Sequence, residues 1–321
     1  MRQAVIRLLR RNALGLRPDV VDFERRGFRG ATVALRHHLE KAGSAFLAGY
    51  HLALESGTNC ELESQLRGMD LEWRGFAFEG AAMGLALLER LLPWHSDRIR
   101  AFLLGPGAAH SYMIHVGIGW VWALIPFGFR RWQRKLDPLL GWLAFDGWGF
   151  YEGFFSWPNY IYGQPPPKKL KGYERRVFDQ GFGRSLWFVN GGNVKLIGES
   201  ISGFPVKRQA DLWSGIGLAA TYAGTADVVS LRRLRELSGP FCPYLAQGAA
   251  FAAKARQRAG NATDHTELAA EVFCNASADQ AARTTDAALE NLPADSREPG
   301  YEIWRQRIQH RLARSPQLQE N

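Results

Sequence analysis

Apolar positions along this chain recur three and four residues apart, the spacing of helices, and the strict alternation of strands is scarce. The opening MRQAVIRLLRRNALGL reads as an amphipathic helix carrying Val5, Leu8, Leu9 and Leu14. It is basic and has no uninterrupted apolar core, so it does not read as a secretory signal. Residues 31–54 carry small or apolar side chains at helical spacing, with Asn59 and Cys60 expected in a turn after Gly57. A second helix is predicted over 76–92, stopping before Pro93. Residues 136–144, LDPLLGWLA, lead as an apolar helix into FDGWGFYEGFF at 145–155. Only 185–189 and 194–197 suggest strands, and both suit a helix equally. Further on, 251–258 set alanines against basic residues. Asp264-x-x-Glu267 and Ser277-x-x-Gln280 approach capping-box spacing, ahead of helices reaching Cys274 and Leu292. A last amphipathic helix covers 301–312, and the residues after it should fray. The predicted fold class is all-α, with few or no strands.

Motifs echo one another about 100 residues apart. Leu71-Glu-Trp-Arg-Gly-Phe76 resembles Tyr173-Glu-Arg-Arg-Val-Phe178, with Phe23-Glu-Arg-Arg-Gly-Phe28 as a third copy. Val116-Gly-Ile-Gly119 returns as Ser214-Gly-Ile-Gly217, and Asp137-Pro-Leu-Leu-Gly141 as Cys242-Pro-Tyr-Leu-Ala246. The order is kept, which predicts two pseudo-symmetric helical halves. The run QPPPKKLK is the sharpest break in composition. The expected division is an N-terminal helical arm at 1–70, a first helical unit at 71–163 and a Pro/Lys linker at 164–172. A second helical unit follows at 173–295, then a C-terminal helix and tail at 296–321.

Composition narrows the classes of function. The chain has 321 residues, 46% of them hydrophobic, enough for a sizeable core in one large domain or two ordinary ones. Its net charge is +9, but the basic residues are dispersed in small clusters near 7–11, 130–135 and 168–176. No nucleic-acid-binding motif accompanies them. Three widely spaced cysteines argue for a reducing compartment, and no metal-ligand spacing appears among them. The expected location is cytoplasmic. Residues 101–129 contain no Asp, Glu, Lys or Arg. Pro106, Pro126, His110 and His115 within that run favour a buried helix at 111–125 over a membrane span. Trp120 and Trp122, beside the basic RRWQRK, keep peripheral membrane contact open.

The unusual chemistry gathers in FDGWGFYEGFF. Three glycines beside bulky rings suggest close backbone approach by another segment or a ligand, and two acids sit in apolar company. Glu152 shares a helical stripe with Phe145 and Trp148, so a carboxyl with a raised pKa in an apolar pocket is one reading. A helix cap or an arginine partner is the other reading for Glu152 and Asp146. His110 and His115, five apart, do not share a helical face; either is a candidate general acid/base or a core histidine. Asp179 and Asp211 are further carboxylate candidates, with Arg184 as a partner for Asp179. Glu79 and Asp146 facing Asp179 and Asp211 across the halves would form a four-carboxylate site, although the Glu-x-x-His signature of helical di-iron centres is missing. Trp120, Trp148, Phe150 and Arg184 are the substrate-binding candidates. Gly117-Ile-Gly119 lacks the third glycine of a dinucleotide loop, and there is neither a phosphate-binding loop nor a G-x-S-x-G elbow. No cofactor follows from these motifs.

The runs LLGPGAAHSYMIHVGIGW, LDPLLGWLAFDGWGFYEGFF, FDQGFGRSLWFV, DLWSGIGLAATYAG and QGAAFAAKARQRAGN resemble a bacterial family of unknown function, the UnbL-type family. The resemblance spans roughly residues 20–295. It implies a role beside an iterative polyketide synthase, in maturing a linear polyene towards an enediyne core. It further implies a multi-span membrane protein and a propeller-like protein as neighbours. No catalytic residues carry over. Two expectations result. One is a helical biosynthetic protein holding a hydrophobic polyene in an aromatic-lined cavity for desaturation, cyclisation or rearrangement. The other is a non-catalytic scaffold or carrier docking on the membrane-bound partner. An apolar pocket with inward acids favours the first, and a solid core with an exposed aromatic patch the second.

Overall fold

In the computed structural model, residues 2–92, 97–161, 163–293 and 295–314 are described. Among them there are helices and turns and no strands. Arg2–Leu14 forms α1, Val33–Glu55 α2, Asn59–Arg67 α3 and Leu71–Leu91 α4. Arg98–Leu104 is α5, Ser111–Leu124 α6, Phe129–Gln133 α7, Leu143–Ile161 α8 and Tyr173–Val189 α9. Val194–Ser202 is α10, Val206–Ala223 α11, Val228–Ser238 α12 and Cys242–Ala259 α13, followed by Asp264–Cys274 (α14), Ala278–Ala287 (α15) and Gly300–Ala313 (α16).

Helix starts follow local capping chemistry. Thr32, Thr58, Asp70, Asn193 and Asp227 each accept a first-turn amide with their side chain. Asn59 and Cys60 therefore open α3 under the Thr58 cap, where a turn was expected. Ser277 and Gln280 form a reciprocal capping box, but α15 ends at Ala287, short of Leu292. The cap position before α14 belongs to Thr263, not Asp264; Glu267 instead accepts from the amide of Ala278. The two strand-like runs lie inside α9 and α10. Pro93 and the tail beyond 314, where fraying was expected, lie outside the described residues.

The long helices pack in chain order, α2 on α4, then α6, α8, α9, α11 and α13. What permits this is a small pair of residues, Gly-x-Gly, in four of them. A Cβ on Gly147 of α8 would meet Val116 O of α6 at 1.9 Å, and one on Gly149 would meet Phe178 O of α9 at 1.9 Å. One glycine thus admits the preceding helix and the other the following one. The same division holds at Gly117/Gly119, Gly181/Gly183 and Gly215/Gly217. With small residues at the contact, helix axes come closer than ordinary side chains allow. Gly80 meets Phe46 O and Gly84 meets Tyr50 O, so α2 and α4 run parallel; Gly149 on Phe178 and Gly153 on Ser185 show the same for α8 and α9. Short helices such as α3, α10 and α12 carry the chain back between them.

The row curves back on itself. Tyr222 of α11 packs edge-on against Phe76 of α4 with ring centroids 5.3 Å apart. Arg256 of α13 donates to Glu72 O at the start of α4 at 3.0 Å. The 100-residue echo of Gly-Ile-Gly is thus part of a finer recurrence, with Gly-Trp-Gly and Gly-Phe-Gly helices between its two copies. Residues 163–172 join two helices that share one buried core, and Leu170 within that connection is itself buried. Trp120 and Trp122 lie inside α6's packing surfaces and are buried, so neither presents a ring to a membrane. Among the described residues no helix is long and apolar enough to cross one.

Candidate functional site

The curve of α2, α4, α6, α8, α9 and α11 surrounds an apolar cavity of about 50 Å³. Phe46, Trp120, Phe150, Phe154, Phe188 and Tyr222 supply its aromatic wall, and Leu16, Val20 and Val21 of the segment after α1 close one side. The rings contact one another: Phe46 lies 4.3 Å from Trp120 between centroids, Trp120 5.5 Å from Phe150, and Phe150 5.4 Å from Phe188.

Two charged side chains reach this wall, Glu79 from α4 and Arg184 from α9. Glu79 is buried and accepts from Trp120 Nε1 at 3.0 Å. Burial pushes its carboxyl up to about 7, against the pull of the Arg184 charge. Arg184 stacks its guanidinium over the Phe150 ring at 4.8 Å. Its Nε lies 2.7 Å from Asp146 Oδ1, an ion pair with both side chains buried but without hydrogen-bond alignment, and among the described residues Nη2 also has no hydrogen-bond partner. Asp146 also accepts from Gln180 Nε2 at 2.8 Å. Its carboxyl is raised by desolvation, with Arg184 opposing. For that buried pair the ionised form is the one the geometry supports, since a guanidinium and an amide both face the carboxylate.

Polar groups continue behind the cavity at the residue preceding the Gly-x-Gly pairs of α8, α9 and α11 and the equivalent glycine of α13, whereas α6 has Val116 there. Asp146, Gln180, Ser214 and Gln247 occupy that register on α8, α9, α11 and α13. Ser214 Oγ donates to Gln247 Oε1 at 3.0 Å, and Arg305 of α16 donates to the same oxygen at 3.0 Å. Gln180 also donates to Tyr301 Oη at 3.2 Å. Glu79 holds the same position on α4. It faces the apolar cavity, and among the described residues no cation stands at hydrogen-bonding distance from it.

The family model described as a protein of unknown function (DUF1702) matches residues 5–312. The chain belongs to that family. No curated protein and no solved structure matches it.

The structure distributes the sequence-derived candidates unevenly around this cavity. Trp120, Phe150 and Arg184 line it; Trp148 does not, and packs edge-on against Phe129 at 5.3 Å instead. Asp146 stands one layer behind, screened by Arg184. Glu152 lies outside the cavity wall, half-buried, with Trp148 Nε1 at 3.4 Å; burial raises its carboxyl. Asp179 pairs with Arg208 at 2.6 Å, not with Arg184. Asp211 pairs with Arg305 at 2.8 Å and Arg176 at 2.9 Å. In place of a meeting of four carboxylates, Asp146, Asp179 and Asp211 each have separate arginine partners, and Glu79 accepts from the Trp120 indole. Among the described residues no group of three His, Cys, Asp or Glu stands ready for a metal ion. His110 stacks on Phe78 at 3.9 Å, and burial pushes its imidazole down to about 4, so it is neutral at physiological pH. His115 turns away from the cavity and is held by Ser111 O at 2.7 Å.

The sequence marks Glu79 only as one member of the carboxylate group. The signal for its position was its place directly before Gly80-Ala-Ala82, matching Asp146 before Gly147-Trp-Gly149.

Proposed function

We propose that this protein binds a long, unsaturated apolar chain with a polar head in the central cavity. The observation that carries the proposal is the meeting of Glu79 and Arg184 in a wall otherwise made of aromatic and aliphatic side chains. An apolar chain replaces water against the phenylalanines, and Arg184, already charged and fixed by Asp146, receives the carboxylate or carbonyl oxygen of the head. Glu79 is close to half-protonated at neutral pH, which suits proton delivery to or removal from a conjugated chain. The faces of Phe150 and Trp120 suit positive charge developing along it. The fitting reaction class is proton-driven maturation of a linear polyketide polyene, by cyclisation or rearrangement. An enediyne pathway is the setting suggested by the family resemblance.

The cavity of about 50 Å³ has room for water but not for such a chain. The segment carrying Leu16, Val20 and Val21 therefore yields as the chain enters. A second reading, a non-catalytic scaffold docking on a membrane-bound partner, is favoured by that small volume. It is favoured also by Phe127, 81% exposed beneath the Arg90 guanidinium.

cis-Parinaric acid, a fluorescent tetraene carboxylate, separates the two. The cavity reading expects saturable binding with a rise in emission. Ala219 of α11 lines the cavity, and filling it with Ala219→Phe should weaken binding about tenfold or more, a loss of about 1.4 kcal/mol. Absence of binding, or equal binding by the filled variant, sinks the cavity reading and leaves the scaffold.

A further inference from the structure

A groove of about 800 Å³ lies elsewhere, between α5, the first part of α6 and the stretch around 132–140. Its walls include Leu103, Ile118, Trp132, Leu136 and Leu140. Ser111 and His115 of α6 also line it. His115 is 2% exposed, and its Nδ1 lies 2.7 Å from Ser111 O. A carbonyl oxygen only accepts, so Nδ1 carries the proton and Nε2 is left as a bare acceptor. Among the described residues that Nε2 has no partner, and neither has the Ser111 hydroxyl one turn earlier. Beneath the floor of the groove there thus lie, covered, an acceptor and a hydroxyl that want a ligand group able both to donate and to accept.

The charged residues of the groove are not equivalent. Glu89 accepts from Ile99 N at 3.1 Å, and Asp137 Oδ1 accepts from Leu139 N and Leu140 N, so both acids are occupied with backbone amides. Asp97 is exposed at one end. Arg100, Lys135 and Arg258 are exposed around the groove, and Arg258 donates from Nε to Ala108 O. The cationic groups at the rim thus remain turned towards solvent, and the apolar side chains lie between rim and floor.

We propose that this groove is a second binding site, independent of the central cavity, for a hydroxylated amphipathic anion. Its anionic end pairs with Lys135, Arg100 and Arg258, its alkyl chain lies on Leu103, Ile118, Leu136 and Leu140, and its hydroxyl donates to His115 Nε2 while accepting from Ser111 Oγ. No covalent step is involved. A molecule carrying both ends is discriminated from one lacking the hydroxyl, because the latter leaves both floor groups without partners.

The test is calorimetric titration of the full chain with 10-hydroxydecanoate and with decanoate. The expected result is preference for the hydroxylated acid by about tenfold. His115→Phe should abolish that preference, and the surface variant Lys135→Glu should weaken both acids without altering the ratio. In protein labelled with 15N-histidine, the His115 Nε2 signal should move on adding 10-hydroxydecanoate and stay put with decanoate. Ala219→Phe, which fills the central cavity, should leave all of this unchanged, so failure of one site is distinguishable from failure of the other. Equal affinities for the two acids, an unmoved His115 signal at saturation, or loss of binding in Ala219→Phe would each overturn the proposal. The histidine signal is read in the unmutated chain, so the test stands even if His115→Phe does not fold.

Discussion

At the scale of single residues, the molecule turns on how each buried charge is answered. Asp146, Asp179 and Asp211 each receive a guanidinium. Among the described residues Glu79 receives only an indole N–H at hydrogen-bonding distance, and it sits against aromatic rings. Its titration has a definite consequence for stability. In the fold the carboxyl holds its proton up to about pH 7, whereas in the unfolded chain it ionises near 4.5. Between those values the folded state binds more protons than the unfolded one, so this group makes stability fall as pH rises. Glu79→Gln removes that loss. Denaturant unfolding at pH 4 and pH 8 should show the variant losing less stability across the interval than the parent, by up to about 3 kcal/mol. An identical pH dependence in the two proteins would show that Glu79 ionises normally in the fold.

At the scale of helices, close approach through small residues is what aligns the row. A Cβ at Gly181 would sit 1.7 Å from Asp146 O, and one at Gly215 would sit 2.0 Å from Gln180 O. Neither obstacle is a flexible side chain, so the helices themselves must separate. Gly181→Ala and Gly215→Ala should each lower stability by about 2 kcal/mol or more. Gly68 offers the control: it ends α3 in right-handed helical conformation, and an added Cβ meets only ordinary contacts at 3.5 Å. Gly68→Ala should be neutral or slightly stabilising, because it restricts the unfolded chain without strain in the folded one. Thermal melts of the three variants check both statements. The spacing also explains the two-fold echo in the sequence. Gly117-Ile-Gly119 and Gly215-Ile-Gly217 do the same work three long helices apart, and the intervening pairs do it with different central residues.

At the scale of the whole molecule, the proline-rich connection at 163–172 joins helices that share one buried core. It leaves α8 and α9 to pack through Gly149, Gly153 and Gly181, the tightest backbone contact among these. The row then returns on itself through Tyr222, Phe76 and Arg256, so residues from both ends bound one cavity. The expectation is a single cooperative unfolding transition, with calorimetric and van't Hoff enthalpies in agreement. Two resolved transitions, or independent folding of a fragment ending near 163, would show that the break in composition is a break in structure.

Much of this architecture was legible in the residues alone. Helical periodicity, capping residues and the Gly-x-Gly pairs are local, and they specify all-α structure and the sites of close packing because backbone hydrogen bonding and steric access act over a few positions. The long buried helix α6 was readable in the same way, from a charge-free run too broken by prolines to span a membrane. The acids of FDGWGFYEGFF were also recognisable as chemically awkward. Which partner each would find was not. Whether Asp146 meets Arg184 and Asp179 meets Arg208 depends on how helices distant in sequence are rotated about their axes. A turn of one residue position, 100 degrees, would aim these groups elsewhere. The cavity shows the same division. Its aromatic residues are common core-formers in any helical protein, and only the curvature that brings α2, α4 and α11 round to α8 and α9 leaves Glu79 and Arg184 facing one apolar space.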